Sequence, residues 1–132
     1  MRYLTVIEII AIHDDIIKGT TGMVGVRDIE LLDHVVKKPK MAFGGKDIHP
    51  DVFSKAASYC ESFAHHQVFV DGNKRTALAS AERFLFLNGF ELVSGNGLTE
   101  QFLLKVATKE ITGDDVVHWI EKHSRRLSRR VA

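Results

Sequence analysis

The chain has 132 residues, of which 45% are apolar and 27% charged, and a formal charge of +1. This is one domain's worth of chain, long enough to bury roughly two-thirds of its unfolded surface, and its composition excludes disorder. A single cysteine, Cys60, excludes a disulfide framework, and the near-neutral balance speaks against a nucleic-acid binder that depends on overall charge.

Apolar residues recur at helical spacing along almost all of the chain, which predicts an all-α, compact bundle of about six helices. The run from Val6 to Ile12 is broken by Glu8 and followed by His13, Asp14 and Asp15. It makes a poor signal peptide and is too short to span a bilayer, so a cytoplasmic protein with no membrane partner is expected. Thr5 and Glu8 have the spacing of a capping box, Leu4 and Ile9 that of a hydrophobic staple, and Ile9, Ile12 and Ile16 continue a stripe. The first helix is therefore predicted over Val6 to Lys18. Gly19, Gly22 and Gly25 punctuate a loop, after which Ile29, Leu32, Val35 and Val36 mark a second helix closed by Lys37, Lys38 and Pro39.

Met41 to His49 holds Gly44-Gly45-Lys46 and no helical period, which suits an irregular loop or a short extended flap able to form a hairpin. Pro50 is placed at the start of a third helix with Phe53, Ala56, Ala57, Cys60 and Phe63 on its apolar face, and Cys60 reads as a small core residue. A fourth helix begins near Asn73, carries Ala77, Leu78, Ala81, Phe84 and Leu85, and ends at Asn88-Gly89 with Gly89 in the left-handed region. After the turn Ser94-Gly95-Asn96-Gly97, Thr99 is expected to cap a fifth helix bearing Phe102, Leu103, Val106 and Ala107. Thr112 starts the last one, with Val116, Trp119 and Ile120. No strand pair beyond the flap is expected. Residues 1–124 form the domain and 125–132 a basic tail, where Arg125, Arg126, Arg129 and Arg130 suit either a solvated end or contact with an acidic partner or RNA.

The stretch that points to chemistry is Gln67-Val68-Phe69-Val70-Asp71-Gly72-Asn73-Lys74-Arg75-Thr76. Gly72 and Asn73 suit a tight turn into a helix whose first amides lack internal partners and sit at the positive end of the helix dipole. Lys74 and Arg75 add two cations at that end, which costs about 0.3–1 kcal/mol each unless an anion is present. This placement points to a phosphate group, and a carboxylate beside it, Asp71, is a natural Mg²⁺ ligand. The same residues also fit a plain helix start in which Asp71 caps, Asn73 steadies the turn and the cations are solvated. No Walker pattern and no Gly-x-Gly-x-x-Gly after a strand is found.

These residues resemble the signature of the Fic/Doc family, His-Pro-Phe-x-Asp/Glu-Gly-Asn-x-Arg, and in particular its death-on-curing branch, in which Lys-Arg-Thr follows Asn. The likeness extends over Ile12-His13-Asp14, Leu31-Leu32, Phe43-Gly44-Gly45 and Phe84-Leu85 to Asn88-Gly89-Phe90. It implies an all-helical fold that binds ATP and Mg²⁺, with Asp71 as metal ligand, Gly72, Asn73, Lys74 and Arg75 around the phosphates, and Gly44, Gly45 and Lys46 in a flap that lays out a target segment. Most members transfer AMP to a hydroxyl. Where Lys stands in the anion hole, as Lys74 does, the similar toxins bind the nucleotide reversed and move its γ-phosphate to a threonine of elongation factor Tu, a translation factor. A long cation in place of a Gly takes the space of a close backbone approach, in keeping with that switch.

The sequence departs from the pattern at two positions. Gln67 stands where the family's catalytic His is expected, and Val68 where its Pro is. An amide can orient a hydroxyl but cannot take its proton, and a missing general base typically costs about 10²–10⁴ in rate. His66 is the alternative base, although Phe69, Asp71, Gly72, Asn73 and Arg75 fix the register against it. Three activities follow: a protein kinase slowed by Gln67, an inactive relative that keeps a nucleotide or antitoxin site, and an adenylyltransferase, which Lys74 disfavours. His13, His34, His49, His118 and His123 form no metal set by spacing. The chain also shows no Ser/Thr-x-x-x-Glu-Gly/Asn inhibitory motif, so by resemblance an antitoxin would restrain it in trans.

Overall fold

The computed structural model describes residues 1–93, 95 and 97–128. Six α-helices are connected by short loops: α1 (Val6–Ile17), α2 (Ile29–Lys37), α3 (Val52–His65), α4 (Asn73–Leu87), α5 (Leu98–Ala107) and α6 (Asp114–Lys122). A 3₁₀ turn, Lys38–Lys40, follows α2. Two small antiparallel pairs complete the fold: β1 (Ala42–Phe43) with β2 (Lys46–Asp47), and β3 (Phe90–Leu92) with β4 (Ser124–Arg126).

The helix starts obey local chemistry. Thr5 accepts from the Glu8 amide while the Glu8 carboxylate takes the Thr5 amide at 3.0 Å, closing the expected capping box. The N-cap of α3 is Asp51, in a reciprocal bond with Ser54, so Pro50 lies one residue outside the helix. The N-cap position of α5 is Gly97, which places Thr99 inside the first turn, and that of α6 is Gly113; neither has a side-chain cap, but the first turn of each carries acids, Glu100 in α5 and Asp114 and Asp115 in α6.

The centre of the molecule is the antiparallel pair α3 and α4. Ala56, Ala57, Cys60 and Phe63 pack with Ala77, Ala81, Phe84 and Leu85, and the alanines let the two backbones approach closely. Tyr59 lies beneath them, its ring 5.2 Å from that of Phe84 and its hydroxyl accepting from the Leu4 amide at 3.1 Å. Burial pushes the Tyr59 hydroxyl and the Cys60 thiol each up to about 12, which makes Cys60 an inert core residue.

Three elements differ from the sequence expectation. The buried face of α1 is Ile9, His13 and Ile17, one residue round from the apolar stripe, with Ile12 and Ile16 at its edge. Ile29 is exposed at the start of α2. The third is an additional strand pair: Gly89 ends α4 with φ 91°, the chain reverses, and Phe90–Leu92 pairs with Ser124–Arg126. Arg125 and Arg126, expected in the basic tail, therefore lie in β4, where the Arg125 Nε donates to Glu91 at 2.6 Å. Ser94, Asn96, Arg129 and Arg130 lie outside the described residues. The Met41–His49 segment forms a hairpin, with Gly44 (φ 60°) and Gly45 (φ 80°) supplying the two left-handed residues of a tight turn.

Candidate functional site

The signature loop leaves the end of α3 at His66 and runs extended beside the glycine loop that joins α1 to α2. The Arg27 and Asp28 amides donate to the Val68 carbonyl at 2.8 and 3.2 Å, and the Val70 amide donates to Gly25 at 3.1 Å. Val26 and Phe69 form the bridge between the two loops. From the other side, the Asn73 side chain accepts from the Phe69 amide at 3.0 Å and donates to the Phe69 carbonyl at 2.9 Å. Val68 and Phe69 are fully buried, so the loop is anchored by its apolar residues while Asp71, Lys74 and Arg75 stay exposed.

Gly72 is the N-cap of α4 with φ 79°, a left-handed conformation that glycine adopts without strain. A Cβ there would also stand 3.0 Å from Ile17 Cδ1. No side chain caps this helix and its first turn holds no acid. Among the described residues neither Lys74 nor Arg75 is in an ion pair or a side-chain hydrogen bond. Unpaired amides and two unpaired cations thus converge on a cleft of about 290 Å³ lined by Ile16, Ile17, Thr20, Gly22 and residues 71–75. Asp71 is oriented there by the Met23 amide, which donates to its Oδ2 at 2.9 Å. Among the described residues its other oxygen accepts no hydrogen bond. The donor set fits a polyphosphate with one carboxylate beside it, the way Mg²⁺ is usually held together with phosphate oxygens.

Sequence reasoning gave His13 no role. It is 1% exposed, stacked on Phe69 with ring centroids 3.8 Å apart, and its Nε2 stands 2.7 Å from the Asp71 carbonyl oxygen, the position of a donor. It thereby supports the peptide that links the carboxylate to Gly72. The detectable signal was its place at i+4 from Ile9 and i−4 from Ile17, a polar residue in a buried row. Thr20 was also missed. Its hydroxyl donates to the Ile17 carbonyl at 2.7 Å and accepts from the Gly22 amide at 3.0 Å, which folds the glycine loop back toward the cleft.

The structure brings Asp71, Gly72, Asn73, Lys74 and Arg75 together in the cleft; Gln67, His66, Gly44, Gly45 and Lys46 do not line it. The Gln67 carbonyl accepts from Arg27 Nη1 at 3.1 Å, and its side chain is exposed. His66 is exposed as well, and desolvation together with the nearby Lys38, His65, Lys109 and His34 side chains holds its pKa below the usual imidazole range. A larger hollow of about 440 Å³ lies between α5 and α6, around a ring stack of Phe102, Trp119 and His123 spaced 3.8 and 3.9 Å. Both faces of its indole are already covered, and an uncapped cationic helix start of the kind seen at α4 does not border it.

Residues 3–85 match the Fic/DOC family. The chain is 38% identical over 97 residues to a Toxin Doc of Mycolicibacterium smegmatis, covering 72% of this chain and 75% of that protein. It is 30% identical over 122 residues to the Protein kinase doc of Escherichia phage P1, covering 92% of this chain and 95% of the relative. The match spans every element that builds the cleft, from α1 through the signature loop to α4. On these grounds the chain belongs to the Fic/Doc family.

Proposed function

We propose that this protein is a Doc-type toxin of a toxin-antitoxin pair, a phosphotransferase that moves the γ-phosphate of ATP to a Thr or Ser hydroxyl of a translation factor. Elongation factor Tu is the target that the family resemblance implies. The observation that carries the reading is the open start of α4, where an uncapped Gly72 and the unpaired Lys74 and Arg75 face a cleft beside Asp71. Likeness to proteins named as a toxin and as a protein kinase supports it.

Each residue then has a task. The amides after Gly72 would donate to phosphate oxygens, Lys74 and Arg75 would neutralise charge that builds up during transfer, and the Asp71 carboxylate would hold the metal. Mg²⁺-ATP, when bound, supplies the transferable phosphoryl group. His13 and Asn73 keep the loop in shape. The flap with Gly44, Gly45 and Lys46 lays out the target segment. Gln67 orients the hydroxyl by hydrogen bonding, while the proton passes to water or to His66, whose pKa desolvation and the nearby Lys38 hold below the usual imidazole range. An antitoxin restrains the enzyme in trans, and its place of action is the cytoplasm. Among the described residues no helix is long and apolar enough to cross a membrane.

A second reading, an inactive relative that keeps its nucleotide or antitoxin site, is favoured by the exposed Gln67 side chain, an amide where the resemblance places the family base. An adenylyltransferase ranks third because Lys74 fills the anion hole. Incubation with cell extract and ATP labelled at the γ or the α position separates the three. Label from the γ position on a protein is expected; label from the α position means adenylylation, and none from either means inactivity. Gln67→His should raise transfer by about 10²–10⁴, and no gain would remove Gln67 from the position of a lost base.

A further inference from the structure

The flap poses a physical problem. Residues 41–48 are all exposed, Phe43 to 84%, and an isolated two-stranded hairpin is marginal in water. Something outside the hairpin has to hold it. Its two roots are Pro39, in the 3₁₀ turn that follows α2, and His49, just before α3.

Lys55, on the second turn of α3, reaches both. Its side chain is 2% exposed, and among the described residues it is the one buried lysine. Its Nζ donates to the Pro39 carbonyl at 3.0 Å and to the His49 carbonyl at 2.6 Å, and lies 3.6 Å from the Asp47 carboxylate of β2. The Tyr3 ring covers it, with its centroid 5.5 Å from Nζ. A buried ammonium is costly unless its protons are satisfied. Here two of them are taken up by backbone carbonyls from the two ends of one surface hairpin.

We infer that Lys55 is the positioning residue of the flap, an ammonium clamp that fixes both roots of the 41–48 hairpin and so the line along which a target segment meets the phosphate cleft. The presence of a target segment rests on the function proposed above; the clamp itself does not.

Backbone amide exchange on the full chain tests it. In Lys55→Met, which keeps the buried stem and removes the donors, the amides of residues 41–48 should exchange at least about tenfold faster, while those of α4 and the affinity for Mg²⁺-ATP stay as they were. Lys55→Arg, which keeps the charge and its donors, should restore part of the protection. A folded Lys55→Met chain with unchanged flap exchange would overturn the clamp, and so would loosening spread evenly over α3 and α4, the mark of a general packing role. A second measurement needs no variant. In the unaltered chain, an amine-reactive label should reach Lys55 with the same urea dependence as flap exchange. Flap amides that open freely while Lys55 is labelled only on global unfolding would contradict the proposal. If the unaltered chain binds no Mg²⁺-ATP, the functional reading fails while both exchange tests still decide the clamp.

Discussion

The starts of α1 and α4 are opposite solutions to the same problem, a set of backbone amides with no partner inside the helix. At α1 the chain answers with its own groups: Thr5 and Glu8 exchange hydrogen bonds, and Arg2 pairs with Glu8 at 2.8 Å. At α4 it supplies a glycine with no side-chain cap and two cations that no carboxylate among the described residues neutralises. The first end is electrically closed and exists for stability. The second is left open at a cost, and the missing negative charge is what the proposed nucleotide would supply.

Exchanging the character of the open end gives the largest expected effect. Lys74→Glu with Arg75→Glu should weaken Mg²⁺-ATP at least about 100-fold, as the loss of two charge-assisted contacts implies. In the free protein the same change should raise stability by at least about 0.6–2 kcal/mol, the cost of two misplaced cations removed, because acids suit a helix start. Calorimetric titration and thermal melting measure the two sides, and a pair of residues kept for structure would not show opposite signs. Gly72→Ala comes next: its φ of 79° and the Ile17 methyl 3.0 Å from a new Cβ predict a loss of about 1–3 kcal/mol, together with weaker nucleotide binding. At the closed end, Thr5→Ala should cost about 1 kcal/mol by denaturant titration and leave nucleotide affinity untouched.

The smallest effect is one of pH. The Arg2 guanidinium holds the Glu8 carboxyl down to about 2 from 4.5. A depressed carboxyl contributes stability above its unfolded pKa, so this contribution is full above 4.5 and fades as pH falls to 2. Glu8→Gln should therefore be less stable than the parent chain at neutral pH, by less than about 1 kcal/mol for so exposed a pair. The difference should vanish near pH 2 in melts across that range.

The helices were legible because their period is local, and the flap turn because Gly44-Gly45 admits without strain the two left-handed residues a tight hairpin turn requires. The start of α4 was legible for an electrostatic reason: Lys74 and Arg75 stand where a helix prefers acids. The β3–β4 pair was not. Glu91 and Arg125 are 34 residues apart, and a run of Ser-Arg-Arg carries no apolar alternation to announce a strand. His13 and Lys55 escaped for a common reason. Each is a polar side chain on a buried helix face, and its partners are backbone carbonyls, groups present at every position that leave no mark in a sequence.

The central claim, that α4 starts as it does in order to hold phosphate, is tested most directly by the amide resonances of residues 72–76 during titration with Mg²⁺-ATP. Saturable shifts at those amides and at Met23, with the Glu8 amide of α1 unmoved, are predicted. Silence at residues 72–76, or saturable shifts confined to the hollow between α5 and α6, would contradict it.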